Sequence, residues 1–166
     1  HLNDGRRLPR RSDYRGAHAY LSAPYGVYPT ADGFMALAMM PIGKLADLLE
    51  IEALNEFRDR PSEWFTQRDR IKRMIADRLA TRPTRHWIEI LEAADVWCAR
   101  VLTWPELLAS EGFRSLDMLQ QVTRPDGVAI DTTSSPIRVN GVRRKVKGAA
   151  PRIGQQSDKI AAEFDL

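Results

Sequence analysis

The sequence is poor in the residues that build disulfides, metal sites and membrane spans. It has one cysteine, Cys98, and its three histidines are scattered without metal-ligand spacing. A single cysteine cannot form a disulfide within the chain, so we expect a reducing compartment, the cytoplasm, and no structural zinc or other metal. The longest uncharged apolar stretch, residues 34–43, is too short to cross a bilayer and contains Pro41. We therefore expect a soluble protein with neither a transmembrane helix nor a signal peptide.

Positive charge is concentrated near both ends of the chain. The net charge is +3, but residues 1–15 carry five arginines against two aspartates, and residues 138–152 carry six basic residues and no acid. These basic flanks, Arg6 to Arg15 and Arg138 to Lys147, either contact phosphates or an acidic protein surface or are solvated loops. No recognition-helix motif accompanies them, so the indication of nucleic-acid binding is purely electrostatic.

Residues 25–40 have the pattern of a β-hairpin. Two strand-like runs flank Thr30-Ala-Asp-Gly33, where the Asp-Gly pair supplies the positive φ that a short hairpin needs. From Pro41 onward the apolar residues recur at helical spacing. This pattern predicts a short amphipathic helix that ends near Ile51.

The middle of the chain predicts two further helices. Trp64–Leu79 carries an apolar stripe at helical spacing, and Asp69 and Arg73 are placed to pair across one turn. Thr84 is a favourable N-cap for a helix over residues 86–94.

Strand and turn signals dominate the last third of the chain. Residues 96–102 are rich in strand formers, and Thr103 with Glu106 makes a capping box for a short helix. Pro125-Asp-Gly127 is turn chemistry between two strand-like runs, which predicts a second hairpin. The remaining segments are predicted to be a strand at Pro136–Val139, a basic loop to Gly148 and a closing helix N-capped by Ser157.

The predicted fold class is α+β. Residues 1–23 have little apolar periodicity and indicate an extended linker that contributes nothing to a core. Residues 24–102 then form a small α+β domain with antiparallel hairpins and packed helices. Residues 103–166 contribute the second hairpin and the C-terminal helix.

No self-contained catalytic motif is present, whether a Gly-rich phosphate loop, Gly-x-Ser-x-Gly, His-Glu-x-x-His or Cys-x-x-Cys. Asp32 lies in the predicted turn, where aspartate is common for backbone reasons. Cys98 lies in an apolar strand without a histidine nearby in sequence, which favours a buried inert thiol over a nucleophile. His86, on the first turn of a helix, is more consistent with a surface or capping residue than with a base.

Five short motifs, each weak alone, occur in one order along the chain. They are Tyr25-Gly-Val-Tyr-Pro-Thr-Ala-Asp-Gly33 before an apolar strand, Arg68-Asp-Arg-Ile71, Ala94-Asp-Val-Trp-Cys-Ala-Arg-Val101 followed by Glu106-Leu-Leu, Pro125-Asp-Gly127, and Ala150-Pro-Arg-Ile-Gly-Gln-Gln-Ser157 before the last helix. In this order they resemble the C-terminal portion of the family III CoA-transferases. That family includes formyl-CoA transferase, carnitine CoA-transferase, α-methylacyl-CoA racemase and the L-carnitine dehydratase/bile acid-inducible protein F type. The resemblance spans roughly Gly5 to Leu166.

The chain departs from the family pattern at three places. Arg100 stands where the family usually has proline, and Gln156 replaces the histidine of the closing motif. The lead-in also lacks the run of glycines that shapes an active-site loop in formyl-CoA transferase. This last departure argues against an oxalate-type substrate.

The resemblance implies a chain that passes through the small α+β domain, residues 24–102. Residues 103–166 are then a return segment that completes a larger Rossmann-like α/β domain, which binds CoA. Transferases of the family use an aspartate that forms acyl-CoA anhydride and thioester intermediates. The racemases use a base pair for proton exchange next to a thioester. In both cases the key residues precede residue 1, and the start on His1 rather than Met suggests that an upstream part was removed.

We therefore expect an acyl-CoA:carboxylate CoA-transferase or CoA-dependent racemase of which this chain is the C-terminal part. The chain itself is expected to hold no catalytic residue, to lack most of the CoA site and to be inactive alone. The implied partners are an acyl-CoA substrate and either a second copy in an interlocked homodimer or a chain that carries the N-terminal part. The alternative is a non-catalytic binding or assembly module whose basic flanks contact nucleic acid or a catalytic partner chain.

Overall fold

The computed structural model describes residues 5, 11–14, 18–146 and 148–165. The chain divides into two compact units, His1–Val101 and Leu102–Leu166, here called unit 1 and unit 2. Helices and small antiparallel sheets occur in both, which confirms the predicted α+β class. The predicted domain limits, 24–102 and 103–166, concern the organisation of a longer protein and stay predictions.

The sheet of unit 1 begins with the predicted hairpin. Strands β1 (Gly26–Thr30) and β2 (Gly33–Leu37) pair antiparallel, and β3 (Cys98–Arg100) pairs with the other edge of β2. The predicted positive φ at Asp32 or Gly33 is absent. Contacts from elsewhere hold the loop instead: the backbone N–H of Ala31 donates to the carbonyl of Arg82 at 3.0 Å, and Asp32 binds the residue that begins a later helix.

The described residues of unit 1 also form four α-helices and one 3-10 helix. They are α1 (Ile42–Leu49), the 3-10 helix Glu52–Phe57, α2 (Glu63–Thr66), α3 (Arg68–Leu79) and α4 (Thr84–Ala93). The predicted helix from Trp64 to Leu79 is therefore interrupted at Gln67. The predicted N-cap role of Thr84 is wrong, because Pro83 occupies the cap position and Thr84 is the first helical residue.

The core of unit 1 lies between the inner face of the sheet and the helices. Its fully buried side chains include Tyr28, Met35 and Leu37 from the sheet, Ile42, Leu45 and Leu49 from α1, Ile71, Ile75 and Leu79 from α3, and Trp87 and Leu91 from α4. Each such large apolar side chain stabilises the fold by about 1.5–3 kcal/mol. The indole Nε1 of Trp87 also donates to the carbonyl of Leu79 at 2.8 Å, so its polar atom is satisfied.

The lead-in is more involved in unit 1 than its composition predicts. Ala23 is fully buried and Tyr14 packs against the core, so the expectation that these residues contribute nothing to it is wrong. Asp69 of α3 accepts hydrogen bonds from Ser12 Oγ at 2.5 Å and from the backbone N–H of Asp13 at 3.1 Å. These contacts replace the predicted pairing of Asp69 with Arg73.

Unit 2 consists of short elements. They are α5 (Trp104–Ala109), α6 (Glu111–Ser115), β4 (Leu119–Thr123), β5 (Ala129–Thr133), β6 (Arg138–Val139), β7 (Val142–Arg143) and α7 (Ser157–Phe164). The second hairpin, β4–β5, and the capping box of Thr103 and Glu106 are confirmed. The basic segment was predicted to be loop, and β7 within it shows that this was wrong. None of the helices described is long and apolar enough to cross a membrane.

Candidate functional site

Asp32 sits in the β1–β2 loop and binds the first residue of α4. Its Oδ1 accepts hydrogen bonds from the backbone N–H of Thr84 at 2.7 Å, from Thr84 Oγ1 at 2.8 Å and from Thr30 Oγ1 at 3.2 Å. The hydrogen bonds from Thr84 hold the pKa of Asp32 below its ordinary value. The carboxylate therefore satisfies an N–H group at the start of the helix that Thr84 was predicted to cap.

A pocket of about 290 Å³ lies beside this carboxylate. It is lined by Asp32, Thr84, Arg85, Ile88 and Arg100. Arg85 also pairs with Glu89, with 2.8 Å between Nε and Oε1. Arg100 stands at the position where the family that this sequence resembles usually has proline. Three donors on one oxygen of Asp32 stabilise its charged form, which makes it a weak base.

A second pocket, also of about 290 Å³, lies on the outer face of the unit 1 sheet. Its lining is mostly apolar and includes Tyr25, Val27, Ala36, Trp97 and Cys98. Small side chains form its floor, while Trp97, which is 80% exposed, projects at one side. Sequence reasoning missed this pocket. The sequence feature that indicates it is the unbroken apolar run from Phe34 to Met40. A strand with one solvent-exposed face usually alternates apolar and polar residues, and this run does not.

Cys98 lies in β3 and is half-buried. Burial raises the pKa of its thiol, and the negative charge of Glu92 raises it further. The thiol is therefore protonated at neutral pH, whereas a nucleophilic cysteine requires the thiolate. This geometry agrees with the interpretation of Cys98 as an inert side chain.

His86 is exposed on the first turn of α4, as expected of a surface residue. Its ring contacts Trp87 edge to face, with 4.8 Å between ring centroids. Among the residues that the structure describes, no acid, cysteine or second histidine joins it in a group that could hold a metal ion.

Lys72 is the buried ionisable group that the sequence pattern did not indicate. It lies on α3, is 1% exposed, and its ammonium has no hydrogen-bond partner among the residues described. A Cβ at Gly26 would lie 3.7 Å from Lys72 Nζ, which places the ammonium beneath the first residue of β1. Burial lowers the pKa of Lys72, and the neighbouring charge of Arg68 lowers it further.

The basic flanks can be followed only in part. Arg6, Arg7, Arg10, Arg15 and Lys147 lie outside the described residues. Arg143 contacts Ser134 and the Met118 sulfur, and Lys145 pairs with Asp117 at 3.1 Å. Two cations of the second flank are thus engaged within unit 2.

Solved structures with this fold are known. The chain is similar to a mutant of Rv3272 from Mycobacterium tuberculosis, with a TM-score of 0.60 and 20% identity over 84% of this chain and 40% of that one. It is also similar to a CAIB/BAIF family protein from Brucella suis, with a TM-score of 0.58 and 21% identity over 98% of this chain and 42% of that one. At these identities the likeness shows the fold.

The sequence comparison shows the family. The model of CoA-transferase family III matches residues 4–157, and the chain belongs to that family. It is also 23% identical, over 155 residues, to the succinate–glutarate CoA-transferase of Agrobacterium fabrum. That match covers 90% of this chain and 38% of the relative, so the chain spans about two fifths of the length of the proteins it resembles.

Proposed function

We propose that this chain is the C-terminal part of a cytoplasmic acyl-CoA:carboxylate CoA-transferase whose catalytic aspartate and most of whose CoA site lie in the N-terminal remainder of the enzyme. The observation that carries the proposal is the extent of the family match. The match runs through both units, from residue 4 to residue 157, while the chain covers only 38% of the curated CoA-transferase it resembles.

The surface of unit 2 supports this assignment. Among the residues described, Val122 is its only buried hydrophobic residue, whereas many of its apolar side chains are exposed. They include Leu116, Leu119, Val128, Ile130, Ile137, Val139, Val142, Val146, Ile153, Ile160 and Phe164. Elements with so little buried apolar area need further chain to cover them. In our proposal that chain is the larger Rossmann-like domain.

The reaction that family membership suggests is nucleophilic catalysis by a carboxylate. The aspartate attacks the donor thioester, which forms a mixed anhydride and releases the CoA thiolate. The thiolate then attacks the aspartyl carbonyl, which gives an aspartyl thioester and frees the donor acid. The acceptor carboxylate repeats these two steps in reverse order, so that CoA leaves on the acceptor and the aspartate is regenerated.

Neither Asp32 nor Cys98 suits the role of that nucleophile. Oδ1 of Asp32 accepts two hydrogen bonds from Thr84 at the start of α4 and one from Thr30, and the thiol of Cys98 is protonated and half-buried. In the proposed enzyme these residues shape the small domain while the remainder performs the chemistry. The purified chain is therefore expected to be inactive alone.

The test is CoA transfer measured by mass spectrometry of CoA esters. The chain alone should transfer no CoA from succinyl-CoA to glutarate, whereas the chain with the N-terminal remainder from its own genome should. Turnover by the chain alone would contradict the proposed location of the nucleophile. If the assembly instead exchanges the α-proton of an acyl-CoA with deuterium from solvent and transfers no CoA, it is a racemase of the family.

A further inference from the structure

The three strands of unit 1 carry apolar side chains on their outer face as well as on the core side. Three rows of neighbouring residues cross this face, as the strand register and the adjoining backbone hydrogen bonds show. The rows are Tyr25, Ala38 and Trp97; Val27, Ala36 and Ala99; and Pro29, Phe34 and Val101. None of these nine residues, here called the outer face, carries a charge.

An uncovered face of this composition is unusual for an antiparallel sheet. Such sheets commonly pack one face on a core and present polar side chains on the other. Here Trp97 is 80% exposed and Phe34 is 54% exposed. Contiguous apolar surface of this kind marks an interaction site in folded proteins.

The shape of the outer face is complementary to a partner surface with protruding apolar side chains. Ala36, Ala38 and Ala99 lie low in the middle of the sheet and line the pocket of about 290 Å³, while Trp97 and Phe34 project near opposite ends. Large aromatic side chains around a recess are the usual energetic centre of a protein–protein interface. The absence of charge makes nucleic acid an unsuitable occupant, because phosphate contacts require basic side chains.

We propose that the outer face docks on the larger, CoA-binding domain of the enzyme and forms the apolar seam between the two domains. This inference rests on the proposed function and adds the contact surface to it. The docking surface of the larger domain is correspondingly expected to present a ridge of apolar side chains.

One occupant accounts for two uncovered surfaces of the chain. A second copy of unit 1 on the outer face would leave the exposed apolar side chains of unit 2 uncovered. The missing three fifths of the family's length supplies enough chain for both. Unit 1 has a closed core of its own on the other side of the sheet, so the outer face is not needed for its folding.

The experiment measures the association of the full chain with the N-terminal family III region from its own genome, produced as a separate polypeptide. Affinity is measured by isothermal titration calorimetry, and CoA transfer is measured in the same mixtures. Trp97→Ser should raise Kd by at least about thirty-fold, as expected of an aromatic hot spot. Phe34→Ser should raise it less, and the thermal midpoint of each variant should match that of the wild type.

Tyr20→Ser is the matched control, because Tyr20 and Phe34 are equally exposed, at 54%, and Tyr20 lies outside the outer face. It should leave Kd unchanged. Equal affinity of all variants, or no association of the wild type, would overturn the docking surface. Self-association of the chain through Trp97, or binding of only a small apolar molecule there, would overturn it as well.

The two proposals fail in different ways. A mixture that transfers CoA with undiminished affinity in Trp97→Ser rejects the outer face and keeps the function. Association that depends on Trp97 but transfers no CoA keeps the outer face and rejects the function.

Discussion

The two units of this chain have similar fractions of regular structure but very different cores. The described part of unit 1 buries seventeen hydrophobic residues in one cluster between a sheet and its helices. Unit 2, over its described residues, buries only Val122, which is 7% exposed. Since burial of apolar surface is the main favourable contribution to folding, unit 1 holds the stability of the chain and unit 2 depends on what covers it.

Because their cores differ, the two units contribute to the proposed enzyme in different ways. Unit 1 is a folded module whose outer face is available for docking. Unit 2 is a set of hairpins and short helices that, in the proposed enzyme, becomes ordered when it completes a larger domain.

The strongest test is to produce the two units separately. Residues 102–166 should be largely unfolded, because their few buried side chains cannot offset the entropy of ordering the backbone, about 1–2 kcal/mol per residue. Residues 1–101 should unfold cooperatively. Two-dimensional NMR of each piece provides the measurement. Dispersed amide signals from the isolated 102–166 piece would show that unit 2 folds by itself, contrary to this prediction.

The second test removes one tryptophan from each unit. Trp87→Ala deletes a buried ring and the hydrogen bond to Leu79, so it should lower the free energy of unfolding by about 3–5 kcal/mol. Trp104 of unit 2 is 73% exposed, and Trp104→Ala should change the free energy of unfolding by no more than about 0.5 kcal/mol. Urea denaturation followed by circular dichroism measures both. A similar loss in the two variants would show that unit 2 contributes to the cooperative core.

Local patterns in the sequence predicted most of the elements that the structure contains. The β1–β2 and β4–β5 hairpins follow from strand-like runs on either side of turn residues. The capping box of Thr103 and Glu106 involves residues three apart, so it is visible in the sequence itself. Patterns of this kind are set by neighbours along the chain, and for that reason they can be predicted.

Features that depend on distant residues were missed. Asp32 binds the start of α4 from 52 residues away, so Thr84 could be taken for the cap. Lys72 falls among charged residues of α3, and only the packing of β1 on that helix shows that it is buried. The outer face was visible as an apolar run in β2, but its uncovered state is a tertiary property. That the catalytic residues precede this chain stays a prediction.

The third test uses the buried lysine. Lys72→Met keeps a long unbranched side chain and removes an ammonium group that has no partner among the described residues, so it should raise the free energy of unfolding by about 1–3 kcal/mol. Exposed Lys159 of unit 2 is the control, and Lys159→Met should change stability by less than about 0.5 kcal/mol.

The gain from Lys72→Met should depend on pH. The folded pKa of Lys72 lies below its ordinary value, which is about 10.4 in an unfolded chain. At pH values below the folded pKa, Lys72 is charged, and the full desolvation penalty of its buried ammonium lowers the free energy of unfolding. As pH rises through that pKa the folded state loses its proton first, so the wild type gains stability and its difference from Lys72→Met narrows. Urea denaturation at several pH values from 7 to about 10.4, the ordinary pKa of lysine, measures the difference, and a gain that is constant across this range would show that Lys72 is not the titrating group.

The smallest expected effect compares a long-range helix cap in unit 1 with a local one in unit 2. Asp32→Ala removes the acceptor for the backbone N–H of Thr84 and should lower the unfolding midpoint of the chain, whereas Asp32→Asn should retain most of the stability. Ser110 caps α6 through a hydrogen bond from the backbone N–H of Phe113 at 3.2 Å, and Ser110→Ala should leave the midpoint unchanged.

The contribution of Asp32 to stability should depend on pH. Because the pKa of Asp32 is lowered in the folded state, this contribution is present above about pH 4 and is lost as pH falls through the lowered pKa. Thermal unfolding of the three variants from pH 7 to pH 3 measures both effects. An equal shift in Ser110→Ala would mean that unit 2 unfolds together with unit 1, contrary to the division of stability drawn from their cores.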